Sequence, residues 1–240
     1  MRHLADVLRE IPGVKAVALG GSRAAGTAKP DSDWDFGLYY EGRLDTGVIR
    51  ALGWKGTVFE PGDWGSIVNG GAWLEVDGQR VDLIYRDLAE VHRWTTAATA
   101  GHFEIRREVG YLAGIPTYVL SAELAGNEVL AGDLPRPEFS EALRSSAPPL
   151  WDRLSAGALH FARVHLDRGD TTASVGNLAQ AVLAAAHSRL AARGVWVTNE
   201  KGLVVRAGLE ELMASVRQHT CALALETVSA ELAGAWGPNS

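Results

Sequence analysis

The chain has 240 residues, of which 47% are hydrophobic and 22% are charged, and its formal net charge is −6 at pH 7. This composition fits a globular protein of one or two domains, and the acidic balance disfavours broad non-specific binding to nucleic acid. A single cysteine, Cys221, excludes an intramolecular disulfide framework. Since no apolar run reaches the roughly 20 residues of a membrane span, we expect a cytoplasmic protein without membrane contact.

Helix-like and strand-like segments alternate along the first half of the chain. Apolar residues at helical spacing predict a helix over residues 4–11, ended by a proline–glycine pair. Residues 14–19 form a short apolar run typical of a strand. Ser22 beyond it is expected to cap a short helix that ends at residue 25. A second strand is predicted over residues 34–40.

A hairpin is predicted over residues 72–86, after a loop-rich stretch at 61–71. Asp77 and Gly78 at its centre favour a tight type I′ turn. In the second arm apolar and polar residues alternate, and Asp82 lies on the polar side. A lone aspartate within such a strand is costly unless it is paired or binds a metal ion.

The composition changes near the middle of the chain. Residues 132–137 are rich in proline and glycine, which predicts a domain boundary. We therefore expect a first domain over residues 1–135 and a helical second domain over residues 136–240.

The second half is helical by pattern. Apolar spacing predicts helices within residues 150–164 and 175–190, and Gly194 is expected to end the second of them. One or two further helices are expected within residues 209–216 and 223–236.

Two aspartates open the second strand, shortly after a glycine-rich turn. Asp33 and Asp35 are two residues apart, which places their side chains on one face of a strand, about 6.6 Å apart along the chain. Converging carboxylates repel unless a cation lies between them, and Mg²⁺ prefers carboxylate oxygens while keeping positions open for phosphates. Gly20 and Gly21 let backbone N–H groups approach a phosphate without an intervening Cβ. With Asp82 as a third ligand, these residues predict a metal–nucleotide site.

Three other motifs are excluded by one or two residues each. The run of aspartates starts like an EF-hand calcium loop, but Phe36 and Gly42 stand where that loop needs glycine and glutamate. A P-loop would need lysine where Thr27 stands. A nucleophile elbow around Ser22 would need glycine where the chain has Ala24.

The residues of this site resemble the nucleotidyltransferase superfamily that shares the DNA polymerase β catalytic fold. Its pattern is a hydrophobic residue before Gly-Gly or Gly-Ser, two alternate carboxylates about ten residues later, and a later aspartate on a strand. Here the pattern is met by residues 19–22, residues 33–36 and Asp82. Gly-Ser-Arg followed by Ser-Asp-x-Asp is similar to the small aminoglycoside and lincosamide nucleotidyltransferases. The motifs cover about the first 90 residues.

The resemblance implies an α+β fold with two parts. The first is an N-terminal nucleotidyltransferase domain with a mixed sheet flanked by helices, and the second is a C-terminal α-helical bundle. It also implies that Asp33 and Asp35 hold two Mg²⁺ ions on the triphosphate of an NTP, while Asp82 completes the site nearest the attacking hydroxyl. That hydroxyl would attack the α-phosphorus, and pyrophosphate would leave.

Phosphate contacts follow from the same resemblance. Gly20, Gly21, Ser22 and Arg23 would hold the β- and γ-phosphates, since arginine suits bidentate phosphate contacts. Similar enzymes bring a lysine from the helical domain onto the triphosphate, and Lys201 is the expected equivalent. The alternative is that Lys201 is a solvated loop lysine.

The general base and the acceptor contacts stay open at this stage. Asp82 is one candidate for the base, and some relatives use a separate glutamate, which here would be Glu75 or Glu104. Trp64 and Trp73, beside the loop-rich segment, are either packing residues or side chains that stack on a substrate ring.

The leading hypothesis is an enzyme that transfers an NMP, with ATP as the expected donor, to a hydroxyl of a small polar molecule. A positively charged aminoglycoside-type antibiotic would suit the acidic chain. One alternative keeps the chemistry but uses a protein or a tRNA end as the acceptor, and the tRNA version is weakened by the lack of net positive charge. A non-catalytic nucleotide-binding module is the other alternative. The sequence indicates no oligomeric state.

Overall fold

The computed structural model describes residues 1–212 and contains two β-sheets. The strands in chain order are β1 (Val14–Leu19), β2 (Trp34–Tyr40), β3 (Lys55–Val58), β4 (Gly71–Val76), β5 (Gln79–Asp87), β6 (Ile105–Arg106), β7 (Ile115–Pro116) and β8 (Glu128–Ala131). The larger sheet has the order β3-β4-β5-β2-β1-β8, and β6 pairs with β7 in a small separate sheet. In the larger sheet β2 and β5 are parallel and the other neighbours are antiparallel, so the sheet is mixed, as predicted.

Helices flank the sheet and make up the C-terminal part of the described chain. In chain order they are α1 (Leu4–Arg9), α2 (Gly21–Ala24), α3 (Thr46–Ala51), α4 (Leu88–Thr99), α5 (Val119–Gly126), α6 (Glu141–Asp167), α7 (Thr171–Ala192) and α8 (Leu203–Arg206). The first predicted helix and the two long C-terminal helices are confirmed. Gly194 follows α7 with a φ of +67°, the left-handed conformation that commonly ends a helix.

The hairpin formed by β4 and β5 agrees with the sequence pattern. Asp77 and Gly78 between the strands have φ values of +51° and +73°, as a type I′ turn requires. Val81, Leu83 and Tyr85 on β5 are fully buried, whereas the residues between them are less so near the start of the strand. This alternation places Asp82 on the face of the sheet opposite to the one that buries Val81, Leu83 and Tyr85.

Each face of the sheet is covered by its own apolar cluster. On one face Phe36, Leu38 and Leu83 pack with residues of α1 and α3. On the opposite face Tyr39 packs with Val91 of α4 and with residues of α5. The two clusters fix the register of the strands, because a shift of one residue would move each apolar side chain to the opposite face of the sheet.

The helical part packs against α4 and the segment before α5. Trp151 of α6 is fully buried, and its Nε1 donates to the Tyr118 hydroxyl over 2.9 Å. Ser146 Oγ donates to the Gly101 carbonyl oxygen over 2.6 Å. The fold is therefore an α+β domain with a C-terminal helical region.

The interval between Ala131, where β8 ends, and Glu141, where α6 begins, contains the predicted boundary, and the division at residue 135 stays a prediction. The helices expected over residues 209–216 and 223–236 lie mostly beyond residue 212, outside the described part.

One local prediction is wrong. Ser22 does not cap α2, because the helix begins at Gly21, with Gly20 as its N-cap and no side-chain capping bond. The extended backbone of Gly20 leaves Ser22 within the first turn.

Among the helices of residues 1–212, none is long and apolar enough to cross a membrane.

Candidate active site

Asp35 on β2 and Asp82 on β5 lie side by side. The two strands are parallel, and these residues are direct partners in the register. Paired residues on neighbouring strands share a face of the sheet, and the strands are about 4.8 Å apart. Their neighbours Phe36 and Leu83 are fully buried on the opposite face, while both aspartates are only half-buried. Carboxylates 47 positions apart in the chain are thus brought to one place by strand pairing.

The glycine turn after β1 closes directly on Asp35. Gly20 N–H donates to the Asp35 carbonyl oxygen over 2.8 Å. Gly21 has a φ of +61°, and a Cβ at this position would lie 1.9 Å from Asp35 Oδ2. Only glycine fits here, because the carboxylate occupies the space that any side chain would need.

Asp33, just before β2, faces an arginine from β5. Arg80 Nε lies 2.6 Å from Asp33 Oδ1. That oxygen is buried and makes no hydrogen bond of good geometry within the described part of the chain, so the contact is electrostatic. Arg80 also donates from Nη2 to the Asp31 carbonyl oxygen over 2.9 Å.

Arg23 holds the same segment from the other side. Its Nε donates to the Asp33 carbonyl oxygen over 3.0 Å and its Nη2 to the Ser32 carbonyl oxygen over 2.5 Å. The guanidinium carbon lies 4.1 Å from the ring centroid of Trp34, which is a cation–π arrangement. Arg23 therefore fixes the approach to β2, and its contact with phosphates stays a prediction.

The carboxylates perturb one another. The pKa of Asp82 is raised to about 6, mainly by burial and further by the charges of Asp35 and Asp33. The pKa of Asp35 is also raised, mainly by burial and then by Asp33. Lys201, from the loop after α7, is close enough to lower the pKa of both groups. The structure therefore brings Lys201 to the predicted site, across the junction between the two parts of the chain.

The donor set fits a hard divalent cation. Three carboxylates from two segments lie near one another, and the charges of Asp35 and Asp33 raise the pKa of Asp82, a repulsion that a bound cation relieves. Within residues 1–212, no three side chains of the metal-binding types are already gathered around one point. Asp33 Oδ1 instead contacts Arg80, so an ion bound at this oxygen would compete with the arginine.

An aromatic cluster lies beside Asp82 on the same face of the sheet. Trp73 on β4 is the register partner of Asp82, and its side chain is 56% exposed. Its ring stacks on Trp64, with centroids 5.3 Å apart, and meets the edge of Phe59 at 4.9 Å. Trp64 comes from the loop-rich stretch that the sequence singled out. The cluster is an apolar wall next to the carboxylates.

The two alternative bases have other partners. Glu75 on β4 is opposite Arg80 in the register, and its carboxylate lies 3.3 Å from Lys55 Nζ. Glu104, just before β6, forms an ion pair with Arg106. Asp82 is the candidate that the strand register places directly beside Asp35.

Arg80 is the residue of the candidate site that the sequence does not predict. The only signal available was its position two residues before Asp82 on a predicted strand, which puts both side chains on one face. Its contact with Asp33 joins residues 47 apart and leaves no local pattern.

Comparisons with known proteins bear on the N-terminal part. Residues 1–100 match the family model described as "Nucleotidyltransferase domain". No curated protein matches the chain significantly.

Two solved structures resemble the whole chain weakly. A nucleotidyltransferase-like protein from Exiguobacterium sibiricum 255-15 has 12% identity and a TM-score of 0.38, covering 89% of this chain and 73% of that one. An aminoglycoside 6-adenyltransferase from Bacillus subtilis has 11% identity and a TM-score of 0.29, with coverages of 89% and 77%. Both TM-scores are too low to indicate a function for this chain.

Proposed function

We propose that the chain transfers an NMP from ATP to a hydroxyl of a small polar acceptor and releases pyrophosphate, a proposal supported by the match of residues 1–100 to the nucleotidyltransferase domain model. The observation that carries this proposal is the in-register pairing of Asp35 with Asp82 beside the Gly21 turn. That pairing supports one site in which a nucleotide triphosphate and an acceptor meet on the same face of the sheet.

The order of residues across the sheet supports a division of the site into a triphosphate side and an acceptor side. The glycine turn after β1 comes first, then Asp35 on β2, Asp82 on β5 and Trp73 on β4. The triphosphate would lie near the turn at Gly20 and Gly21, which closes on Asp35. The acceptor would then lie beyond Asp82, against the aromatic cluster.

The protein groups have distinct roles in the proposed reaction. Asp33, Asp35 and Asp82 would hold Mg²⁺, with two ions expected, and the bound metal supplies charge stabilisation for the phosphates. Lys201 would neutralise charge on the β- and γ-phosphates, which leave as pyrophosphate. Arg23 and Arg80 keep the segment before β2 in place.

In the reaction, the acceptor oxygen forms a bond to the α-phosphorus. The bond between that phosphorus and the oxygen bridging to the β-phosphate breaks, and its electrons leave with pyrophosphate. Asp82 takes the hydroxyl proton. The position of Asp82 suits this role, because it lies beside Asp35 on the face where the acceptor would meet the phosphate, and a general base must lie within hydrogen-bond reach of the proton it takes.

The charge of the site indicates the acceptor class. The aspartates and Glu75 present carboxylates on one face, where Arg80 faces Asp33 and Lys55 faces Glu75, and the chain as a whole carries a formal charge of −6. Such a surface attracts cations. Trp73 and Trp64 offer flat apolar faces that pack against sugar rings. A positively charged, hydroxyl-rich saccharide of the aminoglycoside type combines both features.

Transfer of label tests the proposal. The protein would be incubated with ATP labelled at the α-phosphate, Mg²⁺ and a panel of aminoglycosides, and both pyrophosphate and labelled acceptor would be measured. We expect equal amounts of pyrophosphate and labelled acceptor, with neither formed by the Asp35→Asn variant. Label on protein or tRNA would show that the acceptor class is wrong. No label transfer and no pyrophosphate with any acceptor would contradict the proposed chemistry.

A further inference from the structure

The loop that carries Lys201 is fastened to the catalytic part by a glutamate. Glu200 directly precedes Lys201, and its side chain is only 10% exposed. Glu200 Oε2 accepts a hydrogen bond from the Leu112 N–H over 2.7 Å, and Oε1 accepts one from the Ala113 N–H over 2.9 Å. Both oxygens of one carboxylate thus bind consecutive backbone amides from a segment 87 residues or more away in the chain.

Neighbouring contacts make this attachment specific. The Tyr111 hydroxyl donates to the Thr198 carbonyl oxygen over 3.1 Å, so the two segments are joined at a second point. Within the loop, the Lys201 N–H donates to Asn199 Oδ1 over 2.9 Å. The backbone of Lys201 therefore has a defined position, although the residue itself is exposed.

The segment bound by Glu200 is itself anchored to the acceptor side of the site. Glu108 accepts hydrogen bonds from the N–H groups of Ile67 and Val68, over 2.7 Å and 2.9 Å. These residues belong to the loop that carries Trp64. One segment, residues 108–113, thus holds the Trp64 loop at one end and the Lys201 loop at the other.

Glu200 has no role as a charge on the phosphates. Its carboxylate is directed at backbone amides, and a negative charge would repel a triphosphate. Hydrogen bonds to a charged, mostly buried carboxylate are costly to lose, because removing Glu200 leaves two N–H donors without their acceptor, and the Ala113 bond is partly buried. Such bonds hold the neighbouring residue in a fixed position, and the neighbour here is Lys201.

We propose that Glu200 is a positioning residue, which holds Lys201 over the triphosphate site by fixing residues 198–201 to the backbone of Leu112 and Ala113. This inference rests on the proposed function. Misplacing a catalytic group by about 1 Å can cost about 100-fold in rate. Loss of Glu200 should therefore act through Lys201, and only when Lys201 is present.

A double-mutant cycle tests this. The variants are Glu200→Ala, Glu200→Gln, Lys201→Ala and the double variant Glu200→Ala with Lys201→Ala, compared by kcat/KM for ATP and by calorimetric affinity for a non-hydrolysable ATP analogue with Mg²⁺. We expect Glu200→Ala to lower both measures by about 10- to 100-fold, and Glu200→Gln, which keeps one acceptor oxygen, by less. In the Lys201→Ala background, Glu200→Ala should change them by no more than about twofold. Glu138→Ala, an exposed glutamate before α6, is the matched control.

Hydrogen exchange gives a readout that does not need activity. The amides of Leu112 and Ala113 should exchange faster in Glu200→Ala and at the wild-type rate in Lys201→Ala. A melting curve checks that each variant is folded, and Glu200→Gln serves if Glu200→Ala is not.

The outcomes separate the two claims. A large effect of Lys201→Ala with none for Glu200→Ala overturns the positioning role and leaves the proposed function intact. Effects that simply add in the double variant also overturn it, because they show that Glu200 acts elsewhere. If Lys201→Ala changes neither turnover nor ATP-analogue affinity, the proposed role of Lys201 fails together with the inference.

Discussion

Asp35 and Asp82 are direct partners in the parallel pairing of β2 with β5. The pairing holds two carboxylates on one face of the sheet, about one strand spacing apart. Gly21 closes over Asp35 from a third segment, with no room for a side chain between them. The position of each group is therefore set by backbone geometry.

Asp35→Asn should abolish turnover while leaving the fold intact. The change removes a metal ligand that is expected to contribute several kcal/mol, so pyrophosphate release should fall by about 10³-fold or more. The melting temperature of the metal-free protein should stay equal or rise, because the pKa of Asp35 is raised by burial and by Asp33. Asp31→Asn, on an exposed side chain, is the control and should keep full activity. A variant that retains turnover would exclude Asp35 from the site.

Gly21→Ala should impair catalysis more than folding. The new Cβ would lie 1.9 Å from Asp35 Oδ2, so the carboxylate must move, and turnover should fall by about 100-fold. The left-handed backbone adds about 1–2 kcal/mol of strain.

Gly26→Ala is a matched control for the strain alone. Gly26 has a φ of +69°, but a Cβ there meets nothing within 4 Å. This variant should lose similar stability in denaturant unfolding and keep its turnover. Equal loss of activity in both variants would show that strain, and not the collision with Asp35, is responsible.

Trp73→Ala should weaken acceptor binding selectively. Trp73 is the register partner of Asp82 and is more than half exposed, so its loss should raise the KM for the acceptor about tenfold, by removal of about 1–1.5 kcal/mol of ring contact. The KM for ATP should be unchanged. Phe161→Ala, an exposed aromatic on α6, is the control. A rise in the KM for ATP instead would place the nucleobase, and not the acceptor, on the aromatic cluster.

The free energy of unfolding should fall in acid because of His187. Its ring is buried flat against Trp151, with centroids 4.1 Å apart, and burial together with the charge of Arg206 lowers its pKa to about 4. Glu200 Oε1 lies 3.9 Å from its Nε2. Because the unfolded chain binds a proton near pH 6.5 and the folded one does not, this contribution to stability is present above that pH. It is lost as the pH falls toward 4, by up to about 3 kcal/mol.

Denaturant unfolding between pH 4 and 7 checks the contribution of His187. The His187→Leu variant should show a flatter pH profile than the wild type over this range. His92→Leu, at an exposed position on α4, should keep the wild-type slope. An unchanged slope in His187→Leu would mean that other groups cause the acid sensitivity.

The sequence was sufficient for what depends on local pattern. The strands at residues 14–19 and 34–40 have the predicted bounds, and the turn at Asp77 and Gly78 has the expected positive φ values. Spacing of two residues placed Asp33 and Asp35 together, and alternation on β5 turned Asp82 to the side opposite the core.

The contacts that complete the site could not be predicted in the same way. Two sets of contacts join residues that are 47 to 88 positions apart in the chain, namely Arg80 with Asp33 and Glu200 with Leu112 and Ala113. Such contacts depend on how strands and domains pack, and a charged residue in a loop has many alternative partners. The prediction that Ser22 caps α2 is wrong for a local reason, because the extended backbone of Gly20 makes this glycine the N-cap.

The most direct test of the central claim is a crystal structure of the protein with Mn²⁺ and a non-hydrolysable ATP analogue, with the ions located by anomalous scattering. We predict ion density bound by the carboxylates of Asp33, Asp35 and Asp82, with the triphosphate against the glycine turn and Asp33 released from Arg80. Ions that bind the nucleotide away from these three aspartates would contradict the account.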